Sequence, residues 1–356
     1  MFIDTHVHGR DGNQAYKETI AHLLSVAERT GFSAVASVGN GNPPTINEEA
    51  FLFYQDRATQ AKSKVIFYQW ILLTEDTNQL EQAVELWHKY PEVIGFKLFP
   101  CHSVGDTKVD TRKGQRKVFE VLAKNNYQGV LMIHCEKEDF IVKCFDPKFG
   151  AISHCYNRPP IAEIASVSDM LGDALEYEFN GKIHIAHVSC PESIEMKLRH
   201  PLKERISAGV GPQHIVMNEK NMLDKNGLLR KKNPPLRDEN RMHQMRDYLQ
   251  RGLIEIYESD HAPHTRKEKE NHPYISGFPQ LPIVPLYVNF LKRELRMTDE
   301  QILDHMFYNA KKLFAPKLDN VQPRPDVSLN DLSDLIKNVP TLRREYDYDA
   351  WEGIFN

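Results

Sequence analysis

The sequence predicts an α/β protein, a (β/α)8 TIM barrel. Three observations point there. Short apolar, β-rich runs alternate with longer helical patterns eight times. Such alternation gives right-handed crossovers and a parallel sheet. Polar groups able to bind metal recur where successive runs end, and in a barrel those ends share one rim. An open, doubly wound sheet is the competing architecture; eight repeats in 356 residues favour closure.

In chain order, the expected strands are Phe2–His8, Ser33–Val38, Val65–Leu73, Val93–Phe99, Gly129–Glu136, Lys182–Val188, Arg205–Val210 and Ile254–Asp260. Helical patterns follow at Tyr16–Thr30, Asn47–Ala61, Thr77–Tyr90, Arg112–Asn126, Pro160–Tyr177, Pro191–Arg199, Asn240–Arg251 and Pro282–Arg296. Two connections are long, Phe140–Pro159 and His214–Glu239, and long loops in compact domains are often functional. The barrel is expected over residues 1–316. Residues 317–356 form a polar C-terminal extension of unknown role, whose terminal aromatics favour docking.

Composition narrows the class. Hydrophobic residues make up 41%, enough for a large core, and the formal charge of −4 argues against a nucleic-acid surface. No apolar run approaches the roughly 18 residues of a membrane span, and the opening does not read as a signal peptide. Five cysteines, without CxxC spacing, read as reduced thiols in the cytoplasm.

The run ends carry the chemistry. "DTHVHGR" places His6 and His8 two residues apart, on one face if extended. "GFKLFP" carries Lys97, "MIHCE" His134, "IAHVS" His187 and "ESDHAPH" Asp260. Singly, each has a plainer reading: a surface pair, a lysine with its head in solvent, a core histidine, a cap. Together they converge on one mouth. Four imidazoles and a carboxylate suit zinc or a similar divalent ion. Two ions about 3.5–4 Å apart need a bridging anion. A neutral lysine cannot bridge two cations, but a lysine carbamate can, which explains a lysine at that place.

These segments resemble the amidohydrolase superfamily, and within it the dihydroorotase–hydantoinase branch, from Phe2 to about Leu313. "DTHVHGR", "VGNGNPPT", "GFKLFP", "KKNPPLR" and "SDHAPHT" carry the likeness. The resemblance implies a binuclear centre at the C-terminal ends of the strands. His6, His8 and Asp260 would hold the more buried ion, and His134 and His187 the other. N6-carboxylysine at Lys97 would bridge two divalent ions, with Zn2+ the expected metal. Asp260 would also take a proton from water and return it to a leaving nitrogen, as base and then acid. Arg10, Asn40 and His264 would bind a substrate carboxylate, and Asn233 and Arg237 would follow from the "KKNPPLR" loop. Asp4 is expected to orient a ligand histidine.

The implied activity is that of a dihydroorotase, interconverting L-dihydroorotate and N-carbamoyl-L-aspartate in pyrimidine biosynthesis. Alternatives are a dihydropyrimidinase, hydantoinase or allantoinase, or a non-catalytic partner of aspartate transcarbamoylase. The expected partner is a small carboxylate-bearing substrate, with no nucleic acid or membrane, and relatives point to a homodimer. Two departures from the family pattern stand out. Gly9 replaces a larger residue and is expected to loosen the wall beside Arg10. The loop "CHSVGDTKVD" has Val104 and Gly105 where paired threonines are usual, leaving Ser103 or Thr107 to substitute.

Overall fold

The computed structural model describes residues 1–102, 107–143, 145–330 and 332–355. Its eight strands are β1 (Phe2–Val7), β2 (Phe32–Ser37), β3 (Ile66–Leu72), β4 (Val93–Leu98), β5 (Val130–Ile133), β6 (Lys182–Ile185), β7 (Ile206–Val210) and β8 (Ile256–Tyr257). They lie side by side in chain order, and every pair is parallel. A parallel bridge from Val7 to His261 joins last strand to first and closes the barrel.

The strands are buried almost throughout, as in a sheet covered on both faces. Period-two alternation sorts their side chains. Ala34, Ala36, Trp70, Leu72, Ile94 and Met132 belong to one apolar cluster, Val35, Ile71, Phe96, Leu131 and Ile133 to the other, against the helices. The indole of Trp70 satisfies its one donor on the carbonyl of Thr5, 2.9 Å away. Several helices begin where a side chain caps them. Thr19 accepts from the amide of His22, Asn47 from Ala50, Thr111 from Gly114 and Asp238 from Arg241.

Three strands stop three residues earlier than the sequence suggests. β5 ends at Ile133, β6 at Ile185 and β8 at Tyr257, so His134, His187 and Asp260 lie just beyond the ladder. His187 (φ 37°) and Asp260 (φ 49°) take left-handed backbone conformations that a strand cannot continue through. Such strain in non-glycine residues concentrates at functional sites.

Both long connections carry short helices, at Ser153–Asn157 in the first and Pro212–Val216 in the second. The C-terminal extension forms a helix, Ser333–Arg343, that the sequence reading leaves out, and then packs Tyr348 and Trp351 into buried positions. Among the described residues, no helix is long and apolar enough to cross a membrane. Cys101, Cys135, Cys155 and Cys190 are free and buried. Cys144, Ser103, Val104 and Gly105 lie outside the described residues.

Candidate active site

A cavity opens at the C-terminal rim of the barrel and encloses about 390 Å3, open solvent at its mouth included. His6, His8, His134, His187 and Asp260 line it together with Arg10, Asn40 and Asn233. Four strand ends distant in sequence thus deliver imidazoles and a carboxylate to one cavity.

The imidazoles and the carboxylate are aimed by named partners. His8 Nε2 lies 2.8 Å and His6 Nε2 3.4 Å from Asp260 Oδ1. Their other ring nitrogens are engaged: His8 Nδ1 with Asn40 Oδ1 at 2.6 Å, and His6 Nδ1 with Glu258 Oε1 at 3.2 Å. Protons on both Nδ1 atoms leave both Nε2 lone pairs facing Asp260, a tautomer fixed from outside as at metal sites. His134 Nε2 faces Glu136 Oε2 at 2.8 Å, which turns Nδ1 toward His187 Nε2 at 2.9 Å. The two groups adjoin, with the His6 and His187 rings 5.0 Å apart. Burial lowers the pKa of all four imidazoles, that of His8 to about 3, so they are neutral and able to ligate.

Lys97 is fully buried on β4, and its Nζ has no hydrogen-bond partner. It sits 5.0 Å from the centre of the Phe99 ring. Burial lowers its pKa to about 8. Asp260 is fixed at both oxygens: Oδ1 faces the imidazoles, and Oδ2 lies 3.0 Å from the Lys232 ammonium. Lys232 Nζ also donates to the Asp260 carbonyl at 2.6 Å. Burial would raise the pKa of Asp260, but the Lys232 ammonium beside Oδ2 holds it below the usual range.

Three residues absent from the sequence reading therefore shape the site: Glu136, Glu258 and Lys232. Glu136 is fully buried and paired with Arg158, whose Nε lies 3.0 and 3.1 Å from its oxygens. Glu258 contacts His6 and His184 (Nε2 at 3.1 Å) and accepts the backbone N–H of His187. Both glutamates stand two residues from an expected ligand, Glu136 after His134 and Glu258 before Asp260. The same period-two logic that joins His6 to His8 would have found them. Lys232 carries no such signal, because its reach depends on a loop path. Cys101, His134 and Glu136 also gather closely enough to hold an ion. Arg158, however, is already committed to that Glu136 carboxylate.

Other expectations fare differently. Arg10 is buried in the cavity wall, with Nη1 3.4 Å from Gln14 Oε1 and its Nε unpartnered. Asn40 also lines the cavity, but its Oδ1 serves His8. Asn233 lines it too, accepting from Ser276 at 3.1 Å. His264 does not line it; its ring packs beside Gly277, and Nδ1 lies 3.1 Å from Lys17 Nζ. Arg237 turns away, donating to Ser189 Oγ and the Arg158 carbonyl. Thr107 is not among the lining residues.

Two expectations are corrected. Asp4 orients backbone rather than an imidazole: its Oδ1 accepts the amides of His6 (3.0 Å) and Ser259 (3.1 Å), which ties β1 to the β8 end. Gly9 does not loosen the wall. A Cβ there would meet Ile20 at 2.6 Å and Ser37 at 2.7 Å, so those side chains already fill the space.

No protein-family model matches the chain. It is 26% identical over 319 residues to the dihydroorotase of Lactobacillus gasseri, spanning 88% of this chain and 72% of that one. It is 30% identical over 292 residues to the dihydroorotase of Methanothermobacter thermautotrophicus, spanning 79% of this chain and 62% of that one. In fold it resembles the L-hydantoinase of Arthrobacter aurescens, with a TM-score of 0.77 at 20% identity over 92% of this chain and 74% of that one. A D-hydantoinase from Bacillus sp. AR9 gives a TM-score of 0.71 at 18% identity, covering 88% and 71%.

Barrel and rim together define a parallel (β/α)8 protein with a cluster of imidazoles and a carboxylate at the C-terminal ends of its strands. In sequence the chain is similar to dihydroorotases, and in fold to hydantoinases.

Proposed function

We propose that the chain is a dihydroorotase, a cyclic amidohydrolase that interconverts L-dihydroorotate and N-carbamoyl-L-aspartate. The observation that carries this reading is Arg10, a buried guanidinium with a free Nε in the wall of the cavity that holds the imidazoles and Asp260. A buried guanidinium beside a small cavity calls for an anion, and its fork of donors matches a carboxylate. Dihydroorotate has that carboxylate; dihydrouracil and simple hydantoins lack it.

The residues present fit a divalent pair. Nε2 of His6 and of His8 faces Asp260 Oδ1, His134 Nδ1 faces His187 Nε2, and the Lys97 amine is buried without a hydrogen-bond partner. We assign His6, His8 and Asp260 to one ion, His134 and His187 to a second, and N6-carboxylysine at Lys97 to the bridge, with zinc as the metal. When bound, the pair supplies Lewis acidity, which polarises a carbonyl and lowers the pKa of water. As the oxygen of a water molecule bonds to the ring carbonyl carbon, Asp260 takes that water's proton at Oδ2, the oxygen turned away from the imidazoles, and returns it to the ring nitrogen as the C–N bond breaks. Lys232 holds that oxygen ionised and in place beforehand. Arg10 anchors the substrate carboxylate, while Asn233 contributes to the wall around the ring; for His264 and Arg237 we assign support of that wall. The reduced, buried thiols fit a cytoplasmic enzyme.

The test is a paired assay with a metal count per chain. Dihydroorotate should turn over and dihydrouracil should not; the reverse would move the chain to the hydantoinase reading, with which the fold neighbours are also consistent. A purified chain that binds no metal and turns over neither would leave a non-catalytic partner subunit. Arg10→Lys keeps the charge and loses the fork. It should raise KM for dihydroorotate by about tenfold to a hundredfold, the worth of one charge-assisted hydrogen bond, and leave kcat nearly unchanged. An unchanged KM would remove Arg10 from the carboxylate site.

A further inference from the structure

We propose that the C-terminal segment 346–352 is a clasp that sets the shape of the catalytic cavity, with Tyr346 and Trp351 as positioning residues, a role that rests on the function proposed above. Two stretches of the cavity wall converge on this segment. One is Lys232–Asn233, the other Ala262 with Ser276–Gly277.

The second stretch is held at three points. Trp351 is fully buried, and its indole N–H donates to the Pro279 carbonyl at 3.2 Å. Its ring meets Phe278 edge-on, with centres 5.9 Å apart. The Tyr348 hydroxyl donates to the Gly277 carbonyl at 3.3 Å, which Lys269 Nζ also reaches at 2.8 Å. The Tyr346 hydroxyl donates to Glu18 Oε1 at 2.7 Å. Glu18 in turn accepts from His261 Nε2, at 3.1 Å to Oε2. His261 Nδ1 then accepts the amides of Gln280 (2.9 Å) and Leu281 (3.1 Å).

His261 directly follows Asp260, and its carbonyl takes the amide of His8 at 2.8 Å. Tyr346 therefore completes a hydrogen-bonded chain that ends beside Asp260.

The first stretch is held through Arg230. This buried guanidinium donates to the carbonyls of Ala350 (2.8 Å) and Glu352 (2.9 Å), two residues before Lys232. The two stretches are joined to each other, the amide of Gly277 donating to the Lys231 carbonyl at 2.9 Å. Gly277 itself has φ +119°, a conformation that side-chain-bearing residues rarely adopt. The wall here is irregular backbone with no ladder of its own. Its geometry is imposed by what grips its carbonyls, and the clasp provides much of that grip. Loosening a wall that binds substrate weakens its contacts with the bound ring, which raises KM.

The experiment uses the full chain with Trp351→Ala and Tyr346→Phe, read by amide hydrogen exchange over residues 276–281 and by kinetics on the cyclic amide that wild type turns over. We expect Trp351→Ala to speed exchange at Gln280 and Leu281 roughly tenfold, the loss of a local stabilisation of about 1.4 kcal/mol. KM should rise about tenfold by the same conversion, with kcat and far-ultraviolet circular dichroism nearly unchanged. Tyr346→Phe keeps the ring and should move both readouts the same way by less; it decides the matter if Trp351→Ala fails to fold. Folded variants with wild-type exchange would overturn the clasp, whatever their KM. Faster exchange with an unchanged KM would overturn its hold on the cavity. If wild type turns over no cyclic amide, the proposed function falls, and the exchange measurement alone then sustains or overturns the clasp.

Discussion

Replacing Lys97 with Ala should reduce turnover to background and abolish the proposed paired metal site, and short carboxylic acids added to the variant should restore part of the activity. The expectation follows from what surrounds the amine. Carbon dioxide adds to a neutral amine, which loses a proton as the carbamate forms. An ordinary lysine, with a pKa near 10.4, is neutral in only about one molecule in a thousand at pH 7.5. Burial lowers the pKa of Lys97 to about 8, so roughly a quarter is neutral at that pH. The Nζ has no hydrogen bond to break first. The carbamate is an anion with two oxygens, and a small carboxylate entering the space left by Lys97→Ala supplies the same two oxygens. The checks are metals per chain and kcat, with and without added carboxylate. Wild-type kcat in Lys97→Ala would overturn the bridging role.

Asp260→Asn should cost about a hundredfold to ten-thousandfold in kcat, the usual worth of a positioned acid–base group. The amide keeps the size and one oxygen to face His6 and His8, but it can neither accept nor return the proton. It also strands Lys232, whose ammonium is buried and has Asp260 Oδ2 as its carboxylate partner. A buried charge without its counter-charge is strongly unfavourable, so the variant should be less stable too. A double substitution, Asp260→Asn with Lys232→Met, should recover the stability without the activity. Thermal unfolding and kcat measured side by side separate the two losses; a kcat within about threefold of wild type would end the proton role, since that is far below the acid–base range.

The barrel was legible because two periods repeat along the chain. Strands buried on both faces read as continuous apolar runs, and capped amphipathic helices separate them. The strand-end residues were legible for the same reason: a barrel allows only one rim for chemistry. What stayed hidden depends on long-range packing. Lys232 reaches Asp260 because the loop from β7 folds back across the mouth, and no local pattern encodes that path. His264 and Arg237 share segments with lining residues, yet they point elsewhere, since neighbours such as Lys17 and Ser189 offer them partners. Gly9 misled because a small residue in sequence does not mean an empty place in space. The helix Ser333–Arg343 was obscured by its internal Pro340 and its polar face.

The barrel's last strand has two residues, and the ring is completed by one bridge between Val7 and His261. His6 and His8 stand on one side of that join and Asp260 on the other. Any cation shared by these three would rivet the start of the polypeptide to a point some 250 residues later. Stripping it would then unfasten the ring at its weakest stave, so that a chelator would act on this protein as a mild denaturant as well as an inhibitor.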